Sequence, residues 1–237
     1  MTKAETSLTR FSKAALDLLY PRYCVLCRTR PEEPFCAACR TLALPMVQGT
    51  CVRCGLGPAG ECRACLWMGR LDWLRSAVDY DGVAGKAVQK LKYARHSILA
   101  KPMAGQMRPV LEQVPDSDRV VPVPIHWTRR AMRGFNQSDL LAEGLAAGTV
   151  RHDLLRRVRA TRPQVMLTSK QRLRNLEGAF KARPCRGGRV LLIDDVVTSG
   201  GTLEACAGAL KAAGASWVGA LTYARELTDR ERRALEQ

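Results

Sequence analysis

Two adjacent acidic residues near the end of the chain are the clearest candidates for chemistry. Asp194 and Asp195 follow the apolar run 190–193 and precede a loop of small residues, Thr-Ser-Gly-Gly-Thr. Glycines in such a loop let backbone N–H groups close around an anion at the start of a helix. The acids suit vicinal hydroxyls or a magnesium ion beside that anion, so the segment describes a site for a ribose 5-phosphate. The candidate phosphate-binding residues are Thr198, Ser199, Gly200, Gly201 and Thr202.

The simplest alternative for this segment is an ordinary strand, turn and helix with an acidic cap. The loop lacks the Gly-Lys-Ser/Thr ending of a Walker A loop and the Gly-x-Gly-x-x-Gly pattern of a dinucleotide-binding turn. Its position after an apolar strand is nevertheless where α/β sheets bind ligands. The sequence therefore favours a phosphate site of a different class at the carboxyl end of this strand.

Eight of the ten cysteines form four Cys-x-x-Cys pairs within the first 65 residues. Each pair presents two thiolates from a tight turn, and two such turns complete a closed tetrahedral zinc site. We therefore predict two structural zinc ions, each bound by two consecutive pairs. The ligands are Cys24, Cys27, Cys36 and Cys39 at the first site, and Cys51, Cys54, Cys62 and Cys65 at the second.

Two alternatives remain open for these cysteines. A cross-braced arrangement would join the first pair with the third and the second with the fourth. An iron–sulfur cluster is less favoured, because such clusters more often use irregular spacings. The isolated Cys185 and Cys206 are predicted to be small buried side chains.

The elements that must position these residues alternate between apolar strands and helical stretches after about residue 70. The predicted strands are Arg75–Tyr80, Arg119–Val123, Arg189–Val197 and Trp217–Ala224, and the predicted helices are Gly85–Leu91, Ser138–Ala147 and Thr202–Ala213. Strand, helix and strand joined by short links indicate an α/β fold with a parallel sheet flanked by helices. We predict an N-terminal helix at 1–20, a small zinc-binding module at 21–69 and the α/β domain at 70–237.

The charge of the chain points to an anionic partner. The formal net charge is +16, with an isoelectric point near 9.9. Such a balance fits nucleic acid or phosphate-rich small molecules. No apolar run approaches the roughly 18 residues that a membrane helix needs. No secretory signal is recognisable, so we expect a bacterial cytoplasmic protein whose thiols stay reduced.

The acid pair and its loop resemble the PRPP-binding loop of type I phosphoribosyltransferases. Further motifs narrow the resemblance to the ComF family, the double-zinc-ribbon phosphoribosyltransferase-like proteins of bacterial competence. These motifs are Leu91-Lys92-Tyr93, Val121–Pro124, Arg133–Gln137, and the stretch Arg159–Phe180 with Gln164, Arg172 and Asn175. With the cysteines included, the resemblance spans nearly the whole chain. It implies a type I phosphoribosyltransferase-like sheet with an N-terminal double zinc ribbon.

The resemblance also implies roles for individual residues. Asp194 and Asp195 would be the catalytic pair that holds the ribose hydroxyls of PRPP, with the 198–202 loop on its 5-phosphate and Mg²⁺ bound alongside. The stretch Arg156–Lys181 would be a mobile basic flap. The residues implied for pyrophosphate and the flap are Lys92, Arg129, Arg130, Arg133, Gln164 and Arg172.

The implied reaction displaces pyrophosphate from C1 of PRPP, but no acceptor-binding hood is recognisable and the acceptor is unidentified. The resemblance implies that the protein acts in DNA uptake and natural transformation. The implied partners are PRPP, single-stranded DNA, a ComF helicase-like protein and other DNA-processing proteins. One alternative is a non-catalytic adaptor that binds nucleic acid or senses a ligand. Another is a structural zinc protein that binds nucleotides incidentally.

Overall fold

The computed structural model describes residues 23–30, 33–46, 49–60, 62–93, 96–145, 150–160, 176, 178–229 and 231–232. The predicted N-terminal helix at 1–20 lies outside these residues. In the described part of the chain, no helix is both long enough and apolar enough to cross a membrane.

A four-stranded parallel sheet forms the centre of the fold. Its strands are β1 (Trp73–Asp79), β2 (Arg119–Pro122), β5 (Arg189–Val197) and β6 (Trp217–Arg225), and their spatial order is β1-β6-β5-β2. All three pairings are parallel. The two central strands are buried along most of their length, which explains why their sequences are almost continuously apolar. The four predicted strands and the parallel sheet are confirmed.

The helices that flank the sheet are α1 (Ala37–Leu42), α2 (Gly82–Tyr93), α3 (Ala100–Leu111), α4 (Trp127–Arg133), α5 (Gln137–Leu145) and α6 (Gly201–Ala212). Helices α2, α5 and α6 confirm the three predicted helices, with ends shifted by up to three residues where the structure describes them. Helix α3 was not predicted from the sequence. It contains Pro102 in its first turn, where proline is tolerated, and Pro109 inside the helix, where proline removes a backbone hydrogen bond, and both hide the helical pattern in the sequence.

A two-stranded antiparallel hairpin lies apart from the main sheet. It pairs β3 (Leu155–Arg157) with β4 (Phe180–Ala182). The hairpin packs on α6. It therefore brackets the segment 161–175, which belongs to the predicted flap and lies outside the described residues. The flap residues Gln164 and Arg172 fall in that segment.

The two faces of the sheet bury two separate hydrophobic cores, each of which includes one cysteine cluster. On one face, called the loop face below, Leu192 packs with α6, the hairpin and the cysteines from 51 to 65. On the other, called the helix face, Ile193 packs with α2, α3, α5 and the cysteines 24, 36 and 39. The cysteine-rich segment also covers the β1 edge, where Met46 N–H donates to Ala77 O and Leu74 N–H donates to Arg53 O. The cysteine-rich segment thus packs against both faces of the sheet.

Candidate functional site

The acid pair lies at the carboxyl end of β5, where the strand leaves the sheet. Asp194 lies near Cys206 of α6 and Arg157 of the hairpin, on the side of Leu192, whereas Asp195 lies beside Lys92 of α2, on the side of Ile193. Asp194 Oδ1 accepts hydrogen bonds from Ser138 Oγ at 2.8 Å and from the Asp195 N–H at 2.9 Å. Ser138 of helix α5 thus holds the Asp194 carboxylate.

The second acid is paired with a lysine on the helix face. Lys92 Nζ at the end of α2 lies 3.0 Å from Asp195 Oδ2. That oxygen is buried and accepts no well-directed hydrogen bond, so the contact is mainly electrostatic. Burial alone would lower the pKa of Lys92, but the nearby Asp195 and Asp194 outweigh burial and raise it. The lysine is therefore an ammonium ion at neutral pH and balances one of the two acids.

Asp194 lacks a comparable counterion in its immediate contacts. Burial, followed by the neighbouring charge of Asp195, raises its pKa to about 7, although Lys92 and the Ser138 hydrogen bond oppose the rise. The two acids thus differ near neutral pH: Asp195 has an adjacent cation, and Asp194 lies close to its own titration midpoint. A cation or a pair of hydroxyl donors at Asp194 would favour its ionised form.

The loop after β5 has the shape that an anion site requires. Gly200 adopts φ +73°, a left-handed conformation that glycine tolerates best, and it caps the start of α6. Glu204 N–H donates to Gly200 O at 3.0 Å, which leaves the N–H groups of the first turn directed out of the helix end. The residues 198–203, together with Asp194, line a small pocket at this point. The loop suited to an anion and the Asp194 carboxylate therefore line the same pocket.

Two arginines of α4 are held by specific neighbours. Arg133 Nη1 donates to Gln137 Oε1 at 3.1 Å, and its guanidinium carbon lies 5.1 Å from the centre of the Tyr93 ring. Arg130 Nη1 lies 3.5 Å from Asp139 Oδ2. These two residues do not contact Lys92 or the acids directly, so α4 forms a basic rim beside the acid pair.

The hairpin adds an arginine that sequence reasoning did not single out as a site residue. Arg157 on β3 is partly buried, and this burial lowers its pKa; the nearby charge of Arg129 lowers it further, whereas Asp194 acts in the opposite direction. Its guanidinium carbon also lies 5.3 Å from the centre of the Phe180 ring. The base of the predicted flap thus brings positive charge to the loop-face acid.

Two further residues of the site were also missed, because their roles depend on distant elements. Ser138 was assigned only to a helix, yet it holds Asp194 across 56 positions of sequence. The ring of Trp67 lies so close to Gly200 that a Cβ atom there would be 2.1 Å from it. A serine just after Asn136-Gln137 gave a weak signal, whereas the sequence offered Trp67 only as an aromatic residue that could stack on bases and gave no link to Gly200.

The cysteine thiols gather in the two sequential groups. Within each group of four, every sulfur lies within 4.8 Å of every other. Eight thiols in two such clusters fit two closed tetrahedral sites, and in the described part of the chain they do not form the cross-braced arrangement. Helix α1 starts at the first cluster, where the Cys36 sulfur accepts a hydrogen bond from the Cys39 N–H. Cys185 and Cys206 are separate from both clusters and fully buried, as predicted.

Several known proteins are similar to this chain. Residues 131–235 match the family described as Phosphoribosyl transferase domain. The chain is 36% identical over 223 residues to DNA utilization protein YhgH of Salmonella typhi, covering 85% of this chain and 96% of that protein. It is 28% identical over 186 residues to Competence protein ComFC of Bacillus subtilis, covering 74% and 77%. A hypoxanthine phosphoribosyltransferase from Staphylococcus aureus overlaps 57% of this chain and 75% of its own, at 11% identity and a TM-score of 0.36.

Proposed function

Because this chain belongs to the ComF family, we propose that it binds PRPP with Mg²⁺ at the carboxyl end of β5 and acts in the cytoplasmic handling of incoming DNA. The observation that carries the proposal is the acid pair at the end of β5, followed five positions after Asp195 by a left-handed glycine that caps α6. The residues 198–202 would hold the 5-phosphate through backbone N–H groups. Asp194 would accept from the ribose hydroxyls, with Asp195 kept in place by Lys92.

We further propose that the bound PRPP is a substrate whose pyrophosphate is displaced by an acceptor not yet identified. The two carboxylates offer the oxygen donors that Mg²⁺ prefers, and the ion would neutralise the diphosphate charge. The protein's own contribution would be positioning and charge. The α4 arginines supply guanidinium groups that suit phosphate oxygens, and Arg157 carries positive charge to the Asp194 side.

We also propose that the two cysteine clusters hold structural Zn²⁺. The donor set is four thiolates without an open position, which fits a structural rather than a catalytic ion. The ions would supply folding free energy to a segment with few large apolar side chains.

The direct test titrates PRPP with Mg²⁺ into the zinc-loaded protein by calorimetry and then assays the same mixture for pyrophosphate, with and without single-stranded DNA. We expect saturable binding. Replacing both acids, Asp194→Ala with Asp195→Ala, should abolish it without removing zinc. Release of pyrophosphate would identify a transferase. The proposal of a PRPP site fails if the unaltered protein shows no binding.

A second candidate function is a non-catalytic adaptor for single-stranded nucleic acid. The specific observation in its favour is the surface of α4, where Trp127 is 70% exposed beside the arginines, while Tyr93 is 73% exposed at the end of α2. Exposed aromatic rings among arginines are typical of surfaces that stack bases and contact phosphates.

The two functions separate by their salt dependence and by their mutations. Binding to the nucleic-acid backbone should weaken steeply with added salt, because counterions are released. PRPP held by a preformed loop should respond less. We expect Trp127→Ala to weaken binding of a single-stranded oligonucleotide by roughly 1–3 kcal/mol while PRPP binding persists. If the acid-pair variant loses both ligands together, the sites are not separate.

A further inference from the structure

The second cysteine cluster makes contact with the candidate phosphate loop itself. Trp67, two residues after Cys65, lies with its six-membered ring against Gly200, where three ring atoms are between 2.1 and 2.6 Å from an ideal Cβ position. No side chain larger than hydrogen fits there while the tryptophan keeps its place. Position 200 therefore favours glycine for two reasons: its φ is left-handed, and the Trp67 ring leaves no room for a Cβ atom.

The start of α6 is fixed by the same segment through hydrogen bonds. The Glu204 carboxylate, in the first turn of α6, accepts from Arg70 N–H at 3.0 Å and from Leu71 N–H at 3.0 Å. Glu204 is only 7% exposed, so these bonds are shielded from water. A carboxylate near a helix N-terminus is itself stabilising, and here it also attaches the helix to the cysteine module.

The other side of Trp67 is held by the C-terminal segment. Its Nε1 donates to Glu231 Oε1 at 3.4 Å, and Glu231 forms a buried ion pair with Arg225. Arg225 in turn donates to the carbonyl oxygen of Cys54 at 3.2 Å. The tryptophan ring thus lies between Gly200 of the loop and Glu231, and Glu231 is joined through Arg225 to the backbone of Cys54.

We propose that Trp67 is a positioning residue for the phosphate loop, and that the second cysteine cluster thereby sets the affinity of the loop for its anionic ligand. The ligand part of this inference rests on the proposed function. The positioning part concerns the conformation of residues 198–204 and holds with or without ligand. The first cysteine cluster packs on the opposite face of the sheet and does not share this role.

The test compares Trp67→Ala with Trp67→Phe and with Leu66→Ala, a neighbouring residue that is 64% exposed on the same segment. Without ligand, backbone amide exchange at 198–204 should rise about tenfold or more in Trp67→Ala, because the ring no longer limits local opening. Exchange along β1 should stay unchanged. Trp67→Phe should restore most of the protection, and Leu66→Ala should resemble the unaltered protein.

The same variants are titrated with PRPP and Mg²⁺. We expect Trp67→Ala to bind at least about tenfold more weakly, since a displacement of the order of 1 Å in a binding site has effects of this size or larger. Equal affinity, or unchanged exchange at 198–204, would overturn the positioning role. Zinc loss or a general rise in exchange in Trp67→Ala would also overturn it, because the residue would then act only on folding. Failure of the unaltered protein to bind PRPP would instead refute the proposed function, and the exchange data would still decide the positioning role.

Discussion

The two faces of the sheet each pack one four-cysteine cluster and receive one acid, yet they are built differently. On the helix face, Asp195 is balanced by Lys92 at 3.0 Å, and the nearby cluster packs among helices. On the loop face, Asp194 has a pKa raised to about 7, and the nearby cluster contacts the phosphate loop through Trp67. On the helix face the buried Asp195 has an adjacent cation, whereas on the loop face the partly buried Asp194 lies near its titration midpoint. We therefore expect the helix face to support the structure of the candidate site and the loop face to determine its affinity for the ligand.

The largest expected effect comes from removing metal from one cluster at a time. Cys24 and Cys54 are equally buried, each 1% exposed, and they belong to the first and second cluster. Either change to serine should lower the zinc content from two ions per chain to one. Structural zinc contributes about 10–16 kcal/mol of apparent folding free energy in zinc-finger peptides, so each module should lose its local fold.

The two cysteine variants should nevertheless differ at the ligand site. Cys54→Ser should abolish PRPP binding, because the loop loses the support of Trp67. Cys24→Ser should retain binding within a few-fold, although Lys92 lies on the same face. Zinc content by mass spectrometry and calorimetric titration measure both effects. Equal loss of PRPP affinity in the two variants would contradict the predicted difference between the faces.

A smaller difference is expected between the ion pairs of the two modules. Arg225 and Glu231 on the loop face are 1% and 2% exposed, whereas Arg40 and Glu33 beside the first cluster are 32% and 55% exposed. Breaking a buried pair leaves an uncompensated charge and costs about 3–5 kcal/mol. An exposed pair contributes about 0–1 kcal/mol.

We therefore expect Glu231→Gln to lower the free energy of unfolding by several kcal/mol and Glu33→Gln to have little effect. Urea denaturation of the two variants at the same pH and zinc content measures the difference. Comparable midpoints would show that the buried pair is not the anchor of the loop-face module.

The smallest expected effect concerns the acids themselves. Because the pKa of Asp194 is raised in the folded state, the folded protein binds more protons than the unfolded chain between about pH 4 and pH 7, and stability falls as pH rises through that window. Asp194→Asn removes the charge, so its stability should lack this decline. At pH 8 it should exceed the unaltered protein by on the order of 2 kcal/mol. At pH 4 the two should be alike.

The matched change on the helix face should behave in the opposite sense. Asp195→Asn leaves the Lys92 ammonium without its adjacent carboxylate, so it should destabilise the protein at pH 8. Thermal denaturation of both variants across the pH range checks the pair. A similar pH profile for the two variants would contradict the difference between the faces.

The sequence by itself determined the parallel sheet and the acid-and-loop motif. Strand β5 is predictable because a strand buried on both sides must be almost wholly apolar, which leaves Asp194 and Asp195 conspicuous at its end. The four Cys-x-x-Cys turns followed from the cysteine spacing, since each turn is a local structure, but the choice between sequential and cross-braced pairing was made only by the fold. Helix α3 and the hairpin escaped prediction, because prolines hide the first and a three-residue strand gives little periodicity to the second.

Only the tertiary structure decided how the two acids differ and what supports the loop. Adjacent aspartates look alike in a sequence, but the fold places Asp195 beside the Lys92 ammonium and leaves Asp194 without an adjacent cation, with its pKa raised to about 7. The contact between Trp67 and Gly200 joins residues 133 positions apart, and no local pattern encodes it. Local propensity and spacing determine elements and motifs, whereas the pKa of a buried acid and the fit of a ring against a glycine depend on atoms that only folding brings together.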